Sequence, residues 1–227
     1  MAKYGMVIDL ARCAGCGACV MACKAENNVP KGVKWANYKV EYSGEFPNVE
    51  FSYIPTQCNH CDDAPCVEGC PAKGEALYYS DNGMTLLNPE ECVQCKACVD
   101  NCPYDQMSFN DEEAHEFWRD EKGEEVAEAA GSPEVVPYYN PNRALTYQGV
   151  RGVDYPEKCT FCDHRVLVGG KEPACVEACP CKARIFGDQE DPDSELNQHL
   201  EQNEEHDAGV LGDTEPNVFY VNEYQNK

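Results

Sequence analysis

Sixteen of the chain's 17 cysteines fall into four quartets: Cys13-x2-Cys16-x2-Cys19-x3-Cys23, Cys58-x2-Cys61-x4-Cys66-x3-Cys70, Cys92-x2-Cys95-x2-Cys98-x3-Cys102 and Cys159-x2-Cys162-x12-Cys175-x3-Cys179. Thiols at this density can pair as disulfides, chelate zinc or ligate iron–sulfur clusters. Disulfide frameworks scatter their cysteines through loops, and repeated C-x2-C pairs with an odd total suit them poorly. Tetrahedral zinc takes two C-x2-C pairs, and a triplet at x2, x2 with a trailing cysteine at x3 does not supply them.

The first and third quartets match the ligand run of bacterial iron–sulfur ferredoxins, in which three cysteines hold one cluster and the fourth reaches across to another. A proline follows the last cysteine in three quartets, as Pro71, Pro103 and Pro180, where its fixed φ turns the chain away and removes a backbone donor. The first quartet has Lys24 at that place but keeps its spacing. A repeat runs underneath. Asp9 precedes Cys13, and Asn88 precedes Cys92, by the same interval, each closing a short strand with a turn-forming side chain. APCVEGCP (64–71) and PACVEACP (173–180) are nearly one peptide. Two unlike half-sites therefore alternate, and one of each makes a two-cluster module. Spacing leaves open whether the first half-site pairs with the second or the fourth. Cys181 stands outside the scheme, as an unligated thiol or a substitute ligand.

Short elements must position these sulfurs. YKVEY (38–42) and VEFSYI (49–54) alternate apolar and polar residues about a Gly/Pro-containing turn and predict an antiparallel hairpin. ALYY (76–79) and MTLL (84–87) repeat that arrangement across SDNG, and MSF (107–109), RIF (184–186) and VFYV (218–221) add further strands. The fold class is α+β, with small sheets, short helices and many loops. DEEAHEFWRDEKGEEVAEAA, between Asn110 and Gly131, predicts an acidic solvated helix, and DQEDPDSELNQHLEQNEEHD a polar tail with two turns of helix.

Composition narrows the function. Leu, Ile, Val and Phe make up only about 17% of the chain, which with a net charge of −23 would ordinarily leave it disordered. Bonds at the cysteines must supply the missing cohesion. The acidity opposes nucleic-acid binding. No stretch approaches the roughly 18 apolar residues of a membrane span, and the opening MAKYGMVIDLARC shows no apolar export region. There is no phosphate loop or nucleophile elbow, so catalysis is expected on another subunit. His60 and His164, beside cysteines, are expected to donate hydrogen bonds near a cluster rather than ligate iron. Trp35 and Trp118 are expected to pack.

MVIDLARCAGCGACVMACKAENN, SYIPTQCNHCDDAPCVEGCP, ECVQCKACVDNCPYDQMSF and EKCTFCDHR with PACVEACP together resemble the four-cluster iron–sulfur subunit of the dimethyl sulfoxide reductase (molybdopterin oxidoreductase) family. The likeness runs from residue 5 to about 187 and is nearest to the small subunit of respiratory arsenate reductase, with polysulfide reductase, pyrogallol transhydroxylase and catechol dehydroxylase partners also open.

The resemblance implies two intertwined ferredoxin-like modules: residues 1–57 with 111–187 as the outer, 58–110 inserted as the inner, and 188–227 as an acidic tail. It implies four [4Fe–4S] clusters on Cys13, Cys16, Cys19 with Cys179; Cys23 with Cys159, Cys162, Cys175; Cys58, Cys61, Cys66 with Cys102; and Cys70 with Cys92, Cys95, Cys98. The first set should face a large molybdopterin catalytic subunit carrying molybdenum or tungsten. Some relatives have Trp where this chain has Cys95, and hold a three-iron cluster there. The implied role is a non-catalytic electron-transfer subunit of anaerobic respiration, fed by a membrane quinol-oxidising subunit or a soluble donor. Its export would ride on a twin-arginine signal of the partner, the alternative being a cytoplasmic location. The rival reading is a free-standing soluble polyferredoxin.

Overall fold

A computed structural model describes residues 2–111, 125, 128–131, 153–203 and 212–224. The expected acidic helix lies almost wholly outside the described residues, and Trp118 lies outside them entirely.

β1 (Tyr4–Asp9) is the centre of a three-stranded sheet and is buried at every position after Tyr4. Buried on both faces, it has the continuous apolar run that such a strand requires. β8 (Arg184–Asp188) lies antiparallel on one side of it, pairing Met6 with Phe186. β9 (Val218–Val221) lies parallel on the other, pairing Val7 with Phe219. Between them in sequence, α5 (Glu195–Gln202) is capped by Ser194, whose side-chain oxygen accepts from Asn197 N–H. It buries Leu196 against Val7, Ile185 and Val221. The described part of the acidic tail is thus folded onto the strand that leads into Cys13.

The predicted hairpin is β2 (Ala36–Glu45) and β3 (Asn48–Gln57), paired in register from Ala36–Gln57 to Glu45–Asn48. The second is β4 (Leu77–Tyr79) with β5 (Thr85–Leu87). β6 (Ser108–Asn110) pairs with β7 (Tyr155–Glu157). The first two are the hairpins that the alternating patterns predict; MSF overlaps β6, and no pattern announces its partner β7.

Four helices carry cysteines: α1 (Ala18–Glu26), α2 (Pro65–Glu68), α3 (Ala97–Asp100) and α4 (Ala174–Glu177). α1 packs on α4, and α2 on α3. One buried cluster joins Cys23, Trp35 and Ala36 to Cys61, Cys66, Leu77, Leu87 and Cys98. A second joins Met6, Ile8 and Tyr220 to Met84, Leu86, Phe161 and Cys175. Trp35 packs as expected, 1% exposed, with Nε1 donating to Glu157 Oε2 at 3.0 Å. The second core thus draws on both ends of the chain and its middle, whereas the first is built from residues 23–107.

Candidate metal centre

Each quartet opens with the same backbone device. The residue two after the first cysteine has a left-handed φ: Gly15 at 65°, His60 at 47°, Gln94 at 58° and Phe161 at 53°. That turn swings its N–H back onto the first sulfur. His60, Gln94 and Phe161 donate to Cys58, Cys92 and Cys159 Sγ, each at 3.4 Å, and Gly15 N–H does the same for Cys13. Glycine meets the demand without strain only in the first quartet, and space demands it there too: a Cβ on Gly15 would stand 2.4 Å from the Tyr53 ring.

The third cysteine of every quartet, Cys19, Cys66, Cys98 and Cys175, is the second residue of its helix, where the first backbone N–H groups have no partner within the helix. After the last cysteine of the third and fourth quartets, Gln106 and Ala183 N–H donate to Cys102 and Cys179 Sγ at 3.4 and 3.3 Å. Amide donors to sulfur spread the charge of a metal-bound thiolate and tune its potential.

The sulfurs gather in four groups. Cys13, Cys16, Cys19 and Cys179 line one hollow together with Tyr38, Tyr53, Cys181 and Arg184. Cys23, Cys159, Cys162 and Cys175 line another with Asn27 and Gln57. Burial pushes the Cys66 thiol up to about 12, with Cys58, Cys102 and Cys61 close enough to raise it too. Burial does the same to Cys98, again to about 12, beside Cys92, Cys70 and Cys95. The Cys159 thiol, raised well above its ordinary value by burial, also feels Cys162, Cys175 and, from the next group, Cys58.

All 17 thiols are free of disulfides. Among the described residues no three acidic, cysteine or histidine side chains converge on a point that could hold a single metal ion. Four sulfurs spaced around a hollow, as in the first two groups, fit a cubane, whose corners lie apart. Such a cluster, when bound, accepts and gives single electrons with little rearrangement. Loading it must displace protons from thiols that burial holds protonated.

Exposure differs along the series. Cys16 and Cys95 are exposed, whereas Cys23, Cys61, Cys66, Cys98, Cys162 and Cys175 are buried. One cysteine of the first group and one of the fourth therefore reach the surface, while the second and third groups keep theirs half-buried or buried.

Several polar side chains here escape a cysteine-led reading. Asn27 Nδ2 donates to Cys23 Sγ at 3.7 Å and to Cys162 Sγ at 3.6 Å, across the second group. Lys158 is 1% exposed, its Nζ donating to the carbonyls of Thr85 and Cys159. Arg184 is 2% exposed beside Cys175. A lysine just before a cysteine, or an arginine at a strand start, carries no spacing signal, so only the fold could reveal them.

Among the described histidines, the group that donates to a sulfur is the backbone amide of His60. Its ring stacks on Phe161 with centroids 3.8 Å apart, and burial and Lys158 hold it well below the usual histidine range. His164 Nε2 meets Glu26 Oε1 at 2.7 Å instead of a cysteine. Burial lowers the His164 pKa, but Asp163 and Glu26 outweigh it, and the net shift is upward. A raised folded value means that the pair's contribution is fully present below the unfolded histidine value of about 6.5 and is lost as pH rises through the folded one. In His164→Gln, cluster bleaching in guanidinium is expected to speed about fivefold at pH 6, the equivalent of about 1 kcal/mol, and to change little at pH 9. Stopped-flow absorbance at the two pH values checks it.

The 4Fe-4S dicluster domain family matches residues 49–124 and 120–189, and a second family of the same description matches 12–76. The chain is similar to the arsenate respiratory reductase iron–sulfur subunit ArrB of Shewanella sp. (strain ANA-3), 44% identical over 98% of this chain and 97% of that one. It is 33% identical to a subunit of the tetrathionate reductase of Salmonella typhimurium and 32% identical to a subunit of the selenate reductase of Mesobacillus selenatarsenatis, in each case over 96% of this chain and 72% of the other.

Proposed function

The chain belongs to the 4Fe-4S dicluster iron–sulfur subunits of reductase complexes, an electron-transfer family, and we propose that it relays single electrons through four [4Fe–4S] clusters to a molybdopterin catalytic partner. The sets are Cys13, Cys16, Cys19 with Cys179; Cys23 with Cys159, Cys162, Cys175; Cys58, Cys61, Cys66 with Cys102; and Cys70 with Cys92, Cys95, Cys98. The packing of α1 on α4 and of α2 on α3 supports pairing the first quartet with the fourth and the second with the third. It equally favours an inner module, 58–110, held within an outer one, 1–57 with 111–187.

The observation that carries the proposal is the exposure of Cys16 and Cys95 at the two ends of a series whose middle is more deeply buried. A storage protein needs no surface terminals, whereas a relay needs two. Adjacency runs in order: Cys19 and Cys175 both act on Arg184, Cys159 feels Cys58, and α2 precedes Cys70 after carrying Cys66. Electrons enter at the fourth set from a quinol-side or soluble donor and leave at the first.

The partner docks beside that first set. Tyr53 packs on its loop, and the hairpin beyond presents Tyr42 and Phe46 at 81% and 93% exposure. Tyr38, Val40, Val49 and Phe51 are exposed on the same hairpin, and an apolar patch gathered on one element marks an interaction surface. Tyr42→Asp with Phe46→Asp is expected to weaken recovery of the catalytic partner by at least about tenfold without changing iron content; unchanged recovery would move the interface elsewhere. No helix among the described residues is long and apolar enough to cross a membrane, and we place the chain outside the cytoplasm by co-export with its partner. Affinity purification from the native cell with metal analysis tests the proposal. A large partner containing molybdenum or tungsten supports it, and a monomer carrying iron alone would favour a free polyferredoxin.

A further inference from the structure

We propose that Arg184 is a fixed positive charge shared by the first and second cluster sets, raising the reduction potential of both. The inference rests on the set assignment above. Arg184 opens β8 and is 2% exposed. Its Nη1 donates to Gln57 Oε1, lies 3.4 Å from Met6 Sδ and lies 3.9 Å from Cys175 Sγ of the second set. The same side chain lines the hollow of the first set, with Cys13, Cys16, Cys19 and Cys179.

Among the described residues no carboxylate forms an ion pair with Arg184, and its buried Nε and Nη2 have no oxygen or nitrogen partner. A guanidinium cannot shed its proton, and burying it without an opposite charge is costly. Four thiolates around a [4Fe–4S] core leave a net dianion, so two such sets supply the missing counter-charge. Each electron passed along makes the receiving set a trianion until it moves to the next. A cation that cannot release a proton stabilises that added charge without coupling it to pH. The arginine therefore holds two neighbouring stations at higher potential at once, which keeps the step between them shallow.

Redox titrations followed by electron paramagnetic resonance on the anaerobic, fully loaded complex test this with three variants. In Arg184→Gln, two of the four midpoint potentials are expected to fall by at least about 59 mV, a tenfold change in the oxidised-to-reduced ratio, while the other two stay. Arg184→Lys, which keeps the charge and alters the contacts, is expected to keep both potentials near those of the parent. Gln57→Glu keeps the shape and neutralises the guanidinium; it should reproduce the fall, and it decides the matter if Arg184→Gln fails to retain iron. Full iron with unmoved potentials in Arg184→Gln, or equal shifts in the Gln and Lys variants, would overturn the role of Arg184 alone. A parent chain that lacks four clusters would instead overturn the set assignment.

Discussion

Cys23→Ala and Cys159→Ala are expected to abolish the same cluster signal although most of the chain separates them, whereas Cys19→Ala, one turn from Cys23, abolishes a different one. The reason is the geometry of α1. Cys19 lies at its start and lines the hollow shared with Cys179. Cys23 lies in its last turns and lines the hollow shared with Cys159, Cys162 and Cys175. One helix thus serves two sets, and the sets draw on both ends of the sequence. Each variant should lose one of four [4Fe–4S] resonances and between about one and four irons, since losing one thiolate of four removes a corner of the cubane and leaves a three-iron remnant or nothing. Resonance spectra with iron analysis read the result. Loss of the same signal in Cys19→Ala and Cys23→Ala, or of all four signals in any one variant, contradicts the assignment.

Stripping the iron is expected to abolish cooperative folding altogether. The apolar interior is thin, and cysteines are part of it: Cys23, Cys61, Cys66 and Cys98 sit in one core with Trp35 and Leu77, and Cys175 in the other with Ile8 and Phe161. Without metal these positions leave hollows lined by thiols, inside a chain of net charge −23. Comparable metal-dependent small domains draw about 10 kcal/mol or more of folding free energy from the bound group, more than the margin of most domains. Chelation under reducing conditions should therefore remove both the near-ultraviolet circular dichroism and any sigmoidal denaturant transition. A cluster-free chain that still unfolds cooperatively would show that the aliphatic core suffices.

The cysteine quartets were legible because ligation imposes short, fixed spacings, and the hairpins because alternation over a few residues reports a half-buried strand. Tyr38–Tyr42 and Val49–Ile54 fall within β2 and β3, and Leu77 and Leu87 pair across the second hairpin. The order of the larger sheet was not legible. VFYV announces a strand, but its parallel partner Met6–Asp9 lies at the other end of the chain, and no local pattern encodes such a pairing. The buried cations escaped for a related reason. Lys158 and Arg184 look like ordinary surface residues until the fold closes over them, and their meaning comes from which sulfurs they approach. The histidine reading was half right in kind: a donor does reach Cys58, but it is the amide of His60, because the left-handed turn that aims it is a backbone property.

The most direct test is a reductive titration of the anaerobically purified protein, followed by electron paramagnetic resonance, with iron and sulfide measured on the same sample. A relay of four cubanes predicts about four irons and four sulfides for each cysteine quartet and about four one-electron uptakes with separate midpoints. A colourless protein, bound zinc, or only one or two electron uptakes at full occupancy would contradict it.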